Sequence, residues 1–381
     1  PGIWRIIYLA FQEPLRDCTF TPRRTGASPT GGLGFSGYLA LVTRRKRKEE
    51  PVNRDISATS PALQKASSLT TPSPAALLPP PPVLEWRVVG AAVQGISHAR
   101  SGLPCQDVQG YRLLRDGTLL VALADGAGSA QFAEQGADYA VEAALDSLAV
   151  AFDGATQDDP AGWERRMRDV FKAVHEAVLS LAALTDDPAV TPRDYAATLT
   201  CVAASRDRLA VGQVGDGAVI VADEAGHLFA VTRLQRGEYA NETHFISEED
   251  ALEQAAIEVI EINAAALAVM SDGLIRLALK MPSQEPHAPF FQPLLRFAGA
   301  VKEGQEEARL AVQQLADFLA SERVNARTDD DKSLVMAVRE GAVIGELVSQ
   351  EPEGLDGRRF TRESRVSTLT PVDTIGDESP L

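Results

Sequence analysis

The sequence predicts an α+β fold in which two antiparallel sheets stack face to face with helices outside. Three observations lead there. Strand-like segments come in clusters joined by tight connections. Long amphipathic helices occupy separate blocks between the clusters. Several strands, 119–124 and 267–270 among them, are continuous apolar runs, as suits strands covered on both faces.

Residues 1–84 stand apart. Arg44-Arg45-Lys46-Arg47-Lys48 is a basic run, and residues 70–82 are mostly Pro, Ser, Thr and Ala, ending in four prolines. Such a composition buries too little apolar surface to offset its ordering entropy, so it reads as a disordered basic and Pro-rich segment. From Glu85 the texture changes. Residues 86–93 alternate loosely and predict a strand. Further strands are expected at 119–124, 198–204, 209–214, 218–222, 267–270 and 333–338, with Ser205-Arg206-Asp207-Arg208 as a tight connection. Helices are expected at 130–150, 163–184 and 305–321. In the second, Met167, Val170, Phe171, Val174, Val178 and Leu181 form one stripe. Segments 237–263 and 281–297 are expected to be loops that shape access, with His287, Phe290 and Phe291 serving packing or recognition. Past residue 340 the periodicity fades. The folded domain is therefore expected at 85–340, with 341–381 as a disordered tail.

The totals bound the function. The chain has 381 residues, net charge −16 and a pI near 4.8. An acidic chain repels phosphate backbones and anionic lipid, which argues against nucleic-acid and membrane-surface binding. Converging carboxylates instead suit divalent cations. Three widely spaced cysteines form neither a disulfide framework nor a zinc pattern, so a reducing, cytoplasmic setting is expected. No apolar run approaches the ~20 residues needed to span a bilayer. The first residues are apolar but broken by Arg5 and do not read as a signal peptide; they lack an initiator Met, as a fragment would. A monomer is expected.

Two runs end alike. Leu-Leu-Val-Ala-Leu-Ala-Asp-Gly covers 119–126, and Ala-Leu-Ala-Val-Met-Ser-Asp-Gly covers 266–273. A lone Asp-Gly is ordinary turn chemistry, and Asp116-Gly117 and Asp153-Gly154 read that way. Asp125 and Asp272 differ because each closes an unbroken buried strand. A carboxylate at the rim of a core is costly unless paired or metal-bound. Val214-Gly215-Asp216-Gly217 adds a third Asp between two strands, and Thr328-Asp329-Asp330-Asp331-Lys332 precedes the last strand. If these ends meet, mutual repulsion raises their pKa values unless cations sit between them. Oxygen-only clusters favour Mg²⁺ or Mn²⁺ over zinc.

In chain order the motifs are Cys105-Gln106-Asp107, Asp125-Gly126-Ala127-Gly128, Gly215-Asp216-Gly217, Ser271-Asp272-Gly273 and Asp330-Asp331-Lys332-Ser333-Leu334. Over residues 86–339 this order resembles the metal-dependent Ser/Thr protein phosphatases of type 2C, the PPM-type family. Ser97-His98, Gly237-Glu238-Tyr239-Ala240-Asn241-Glu242-Thr243 and the 327–332 segment resemble a divergent bacterial branch. The resemblance implies an α-β-β-α sandwich with a two-metal site of Mn²⁺ or Mg²⁺ at one end. It implies hydrolysis of phosphoserine and phosphothreonine by metal-activated water. Asp125 would bridge both metals, with the Gly126 carbonyl joining one, and Gly126 would let the backbone approach the cation. Asp272 and Asp330 would hold the other metal, and Asp107 would serve the Asp125/Gly126 metal. Asp216 would share a weaker third position with Asp272. Asp125, Asp272 and Asp330 are thus the expected catalytic residues. The implied partner is a phosphorylated protein, such as a Ser/Thr kinase or its substrate.

There are departures from the family pattern. Many members carry a phosphate-gripping Arg five residues before the early Asp, where this chain has Gly102; Arg100 or His98 are the candidates to replace it. Gly217-Ala218 stands in place of Ser-Arg, and Arg276 where some members carry an acid. No His follows Asp125-Gly126, which leaves the general acid unassigned. Rival readings are weaker. Arg112 follows Cys105 by seven residues where a cysteine phosphatase needs six, Ala127 replaces the second Asp of an aspartyl-phosphate hydrolase, and no phosphate-binding Gly-Lys-Ser/Thr loop occurs. A catalytically weak binding or regulatory module is the alternative, and retention of Asp125, Asp272 and Asp330 argues against it.

Overall fold

The computed structural model describes residues 86–185, 187–232 and 243–349. All of them belong to one compact unit. The basic and Pro-rich segment, residues 237–242 and the chain after 349 lie outside the described residues.

Two sheets form the centre. The first runs in the order β1 (Trp86–Val93), β12 (Lys332–Arg339), β9 (Ala264–Met270), β6 (Ala218–Asp223), β7 (His227–Ala230) and β13 (Val348–Ser349). Its neighbours are antiparallel except β13, which lies parallel to β7. The second sheet is antiparallel throughout, in the order β2 (Asp107–Leu113), β3 (Leu119–Asp125), β4 (Leu199–Ala204), β5 (Arg208–Val214) and β8 (Ala256–Glu261). β10 (Leu279–Lys280) and β11 (Glu285–Pro286) pair as a separate ribbon.

A short helix, α1 (Ile96–Ser101), follows β1. The long helices α2 (Ala133–Phe152) and α3 (Pro160–Ala183) cover the second sheet, and α4 (Ala288–Ala300) and α5 (Gln305–Leu319) cover the first. The expected α-β-β-α layering is therefore present. Asp159 starts α3 by accepting the Gly162 amide at 2.7 Å, with Pro160 in the first turn, where its missing N–H is harmless.

Side-chain alternation accounts for the apolar runs. In β3, Leu119, Val121 and Leu123 enter the core between the sheets, beside Val219, Val221, Leu267, Val269, Val335 and Ala337. Leu120, Ala122 and Ala124 point the other way, into the layer under α2 and α3. A strand buried on both faces has no polar face to write. Each large apolar side chain so buried contributes roughly 1.5–3 kcal/mol. The inward register also leads to polar residues at one end. Counting by twos from Leu119 reaches Asp125; from Leu267 it reaches Ser271; back from Ala337 it reaches Ser333 and Asp331.

Three expectations are corrected. The 281–297 segment is not a loop: it contains most of α4, whose Phe290, Phe291, Leu294, Leu295 and Ala298 are buried at helical spacing. Two prolines hid this helix, but Pro289 sits in its first turn. Phe290 and Phe291 pack edge to face at 5.1 Å, so their role is core packing. The 237–263 segment holds β8, the edge strand on β5. Residues 341–349 are not tail. Leu347 is buried, its amide donates to Gln292 Oε1 at 2.7 Å, and the Gln292 amide nitrogen donates to the Gly345 carbonyl.

Candidate functional site

The acids meet where the inward registers run out. Asp107 opens β2 and stands directly opposite Asp125, the last residue of β3. The Asp125 amide donates to Thr198 Oγ1 at 3.0 Å, which ties the strand end to the start of β4. Ser271 follows β9; its hydroxyl donates to Asp107 Oδ2 at 2.7 Å and accepts the Ser333 amide at 2.9 Å. Asp272 begins the single turn after Ser271. Asp216 occupies the turn between β5 and β6 and accepts Thr243 Oγ1–H at 3.0 Å. Asp330 immediately precedes β12. Its charge acts on Asp125, Asp272 and Asp216, which places it at the same end. The five predicted acids are thus brought together.

Their electrostatics are those of crowded, buried carboxyls. Asp107 is pushed up to about 8, first by burial, then by the charges of Asp331 and Asp272. Asp272 rises to about 6, first by burial, then by Asp216 and Asp330. Asp125 is held well above the usual carboxylate range by burial, with Asp107 and Asp272 adding to it. Asp216 is also raised, chiefly by burial. Repulsion therefore contributes as the sequence suggests, but desolvation comes first. Asp125 lies close enough to Asp107 and Asp272 for each to raise its pKa.

The chemistry fits a hard divalent cation. Asp107 Oδ1 and Asp272 Oδ1 are buried with no hydrogen-bond partner among the described residues. The donors are all oxygen, the choice of Mg²⁺ and Mn²⁺. Among the described residues no three His, Cys, Asp or Glu side chains are spaced as a finished cage. A bound cation would displace the protons that such raised carboxyls retain.

Several residues escaped the sequence. Asp331, 2% exposed, lies beneath the acids and accepts the Gly95 amide at 2.6 Å, the Gln106 amide at 2.6 Å and His98 Nδ1 at 2.8 Å. Its inward parity with Val335 was the available signal. Lys332 is fully buried; Nζ donates to Asn325 Oδ1 at 2.9 Å and the Asp330 carbonyl at 3.1 Å. Burial lowers its pKa, and Asp331 and Asp107 pull the other way. Arg100 is exposed at the end of α1. The expected Arg position, Gly102, caps α1 with φ 70°, a left-handed conformation that disfavours any side chain. Gly126 has a second reason to be Gly: a Cβ there would stand 2.6 Å from the Ala133 carbonyl of α2. Cys105 is a buried thiol whose Sγ lies 3.7 Å from the Asp107 carbonyl, as suits a structural residue.

A family model described as protein phosphatase 2C matches residues 94–342. The chain belongs to the protein phosphatase 2C family. It shares 35% identity over 261 residues with serine/threonine-protein phosphatase 3 of Escherichia coli K12, covering 67% of this chain and 99% of that protein. Among solved structures, the S. agalactiae serine/threonine phosphatase aligns at TM-score 0.47 and 14% identity, over 67% of this chain and 100% of that one. The catalytic domain of PstP in complex with two manganese ions aligns at TM-score 0.43 and 17% identity, over 68% and 99%. This protein phosphatase 2C is a protein-serine/threonine phosphatase, a metal-dependent phosphoric monoester hydrolase. Among the described residues no helix is long and apolar enough to cross a membrane.

Proposed function

We propose that the chain hydrolyses phosphoserine and phosphothreonine on proteins at the cluster of Asp107, Asp125, Asp216, Asp272 and Asp330. The observation that carries this is the set of buried and half-buried carboxyls of Asp107, Asp125 and Asp272 at the sandwich end, raised in pKa, with unpaired oxygens on Asp107 and Asp272. Asp125 and the Gly126 carbonyl would hold one Mn²⁺ or Mg²⁺ ion with Asp107, Asp272 and Asp330 a second, and Asp216 with Asp272 a weaker third. When bound, two such ions supply a water acidic enough to attack phosphorus and neutralise charge on the phosphoryl oxygens.

The chain's own residues orient these parts. Ser271 fixes Asp107 Oδ2 and leaves Oδ1 free. Thr243 anchors Asp216 from the loop that precedes β8. Arg100 is the better placed of the two phosphate-binding candidates, because its side chain is exposed while His98 commits Nδ1 to Asp331. The substrate would be a phosphorylated kinase or its target in the cytoplasm, met by a monomer whose catalytic unit is 86–349. The test is hydrolysis of p-nitrophenyl phosphate by wild type and Asp125→Asn, with Mn²⁺ and with EDTA. Turnover that needs both Mn²⁺ and Asp125 is expected. Metal-independent turnover, or an unaffected variant, would sink the assignment.

A further inference from the structure

We propose that His98 is the proton donor to the departing serine or threonine oxygen, a reading that rests on the phosphatase function above. Asp331 sets the ring. It already accepts two backbone amides, from Gly95 and Gln106, and its third contact is His98 Nδ1 at 2.8 Å. An acceptor so used requires Nδ1 to carry a proton. Nε2 is then the atom that gains and loses the second one. It points toward Gly128, where an added Cβ would stand 4.0 Å away, in the loop that follows Asp125-Gly126. The side chain is 14% exposed, so the ring is not sealed from solvent.

The other four histidines are committed elsewhere. His175 is buried on the Ile246 carbonyl, His227 pairs with Asp223, His244 pairs with Glu248, and His287 stands at the start of α4. Ala127 follows Asp125-Gly126 and has no proton to give. The charged groups on elements packed against His98 are Asp331 with its neighbours Asp329, Asp330 and Lys332, Asp107 beyond Gln106, and Arg100 on its own helix. Residues 126–129 carry no charge.

The step balances. Water loses one proton and its oxygen bonds to phosphorus. The bond from phosphorus to the ester oxygen breaks, and that oxygen takes the proton from His98 Nε2. The proton lost by water restores His98 through solvent. The products are the free hydroxyl and hydrogen phosphate.

The test compares leaving groups in His98→Asn, whose amide nitrogen keeps a donor for Asp331 while removing Nε2. A phosphothreonine peptide leaves as a strongly basic alkoxide and needs the proton, whereas p-nitrophenolate does not. With Mn²⁺, kcat/KM for the peptide should fall about 100-fold, and at least about 10 times more than for p-nitrophenyl phosphate. ¹⁵N NMR of His98 in the metal-free protein should show the Nδ1–H tautomer, which reads the ring without activity. A loss ratio below about 10, or an Nε2–H tautomer, overturns the proposal. His98→Gln serves if His98→Asn fails to fold. Wild type inactive toward both substrates overturns the phosphatase reading itself.

Discussion

The hairpin of β2 and β3 carries aspartates at both ends, and the two ends behave differently. At the turn, Asp116 is exposed and accepts the Thr118 amide at 3.0 Å, as an ordinary turn residue does. At the open end, Asp107, buried, and Asp125, half-buried, face each other across the register with their pKa values raised. Both ends contain Asp-Gly. Only the end roofed by the other sheet crowds its carboxylates with Ser271, Asp272 and Asp330. The dipeptide is the same, and burial decides whether it makes a turn or a site.

The largest expected difference between the ends is catalytic. Asp125→Asn should lower kcat/KM by about 10³-fold or more, and steady-state hydrolysis with Mn²⁺ measures it. Next is steric: Gly273→Ala places a Cβ 2.0 Å from the Asp331 carbonyl and should cost about 2–3 kcal/mol, read as a lower Tm. A Tm within 1 °C (roughly 0.3 kcal/mol) of wild type would show that this junction yields. Ser271→Ala should weaken Mn²⁺ binding about 10–100-fold by calorimetry, because Asp107 loses its orienting donor.

The pH effect is smaller. Asp107, Asp125 and Asp272 have folded pKa values above their unfolded ones, so their stabilising contribution is complete below the ordinary carboxylate value of 3.8 and is lost progressively above it, the loss being complete near 6 for Asp272 and near 8 for Asp107. The Tm of EDTA-treated protein should therefore fall between about pH 4 and 8 and level off above, and the Tm gain on adding Mn²⁺ should grow over the same window. A flat EDTA curve would contradict the buried-acid account. The smallest effect belongs to the turn: Asp116→Asn should shift stability by no more than about 0.5 kcal/mol in a denaturant titration and leave turnover in place.

Much of this was legible because it is periodic or local. The doubly buried strands appear as apolar runs, and the acids appear where those runs stop. The helix α4 was not legible, because Pro289 and Pro293 mimic a loop while the burial of Phe291 and Leu295 that stabilises it depends on the first sheet. β8 was missed for a related reason: as an edge strand it mixes Glu258 and Glu261 with apolar residues, and only pairing to β5 defines it.

By itself the sequence determined the layered α+β architecture, the candidate acids and the family they resemble, since each is written in spacing along one chain. Only the tertiary structure decided how those acids are held. Ser271 reaches Asp107 across 164 positions, and His98 meets Asp331 across 233. No local pattern encodes such pairs. They exist because two sheets, each satisfying its own hydrogen bonds, close over one polar end and leave its side chains only each other as partners.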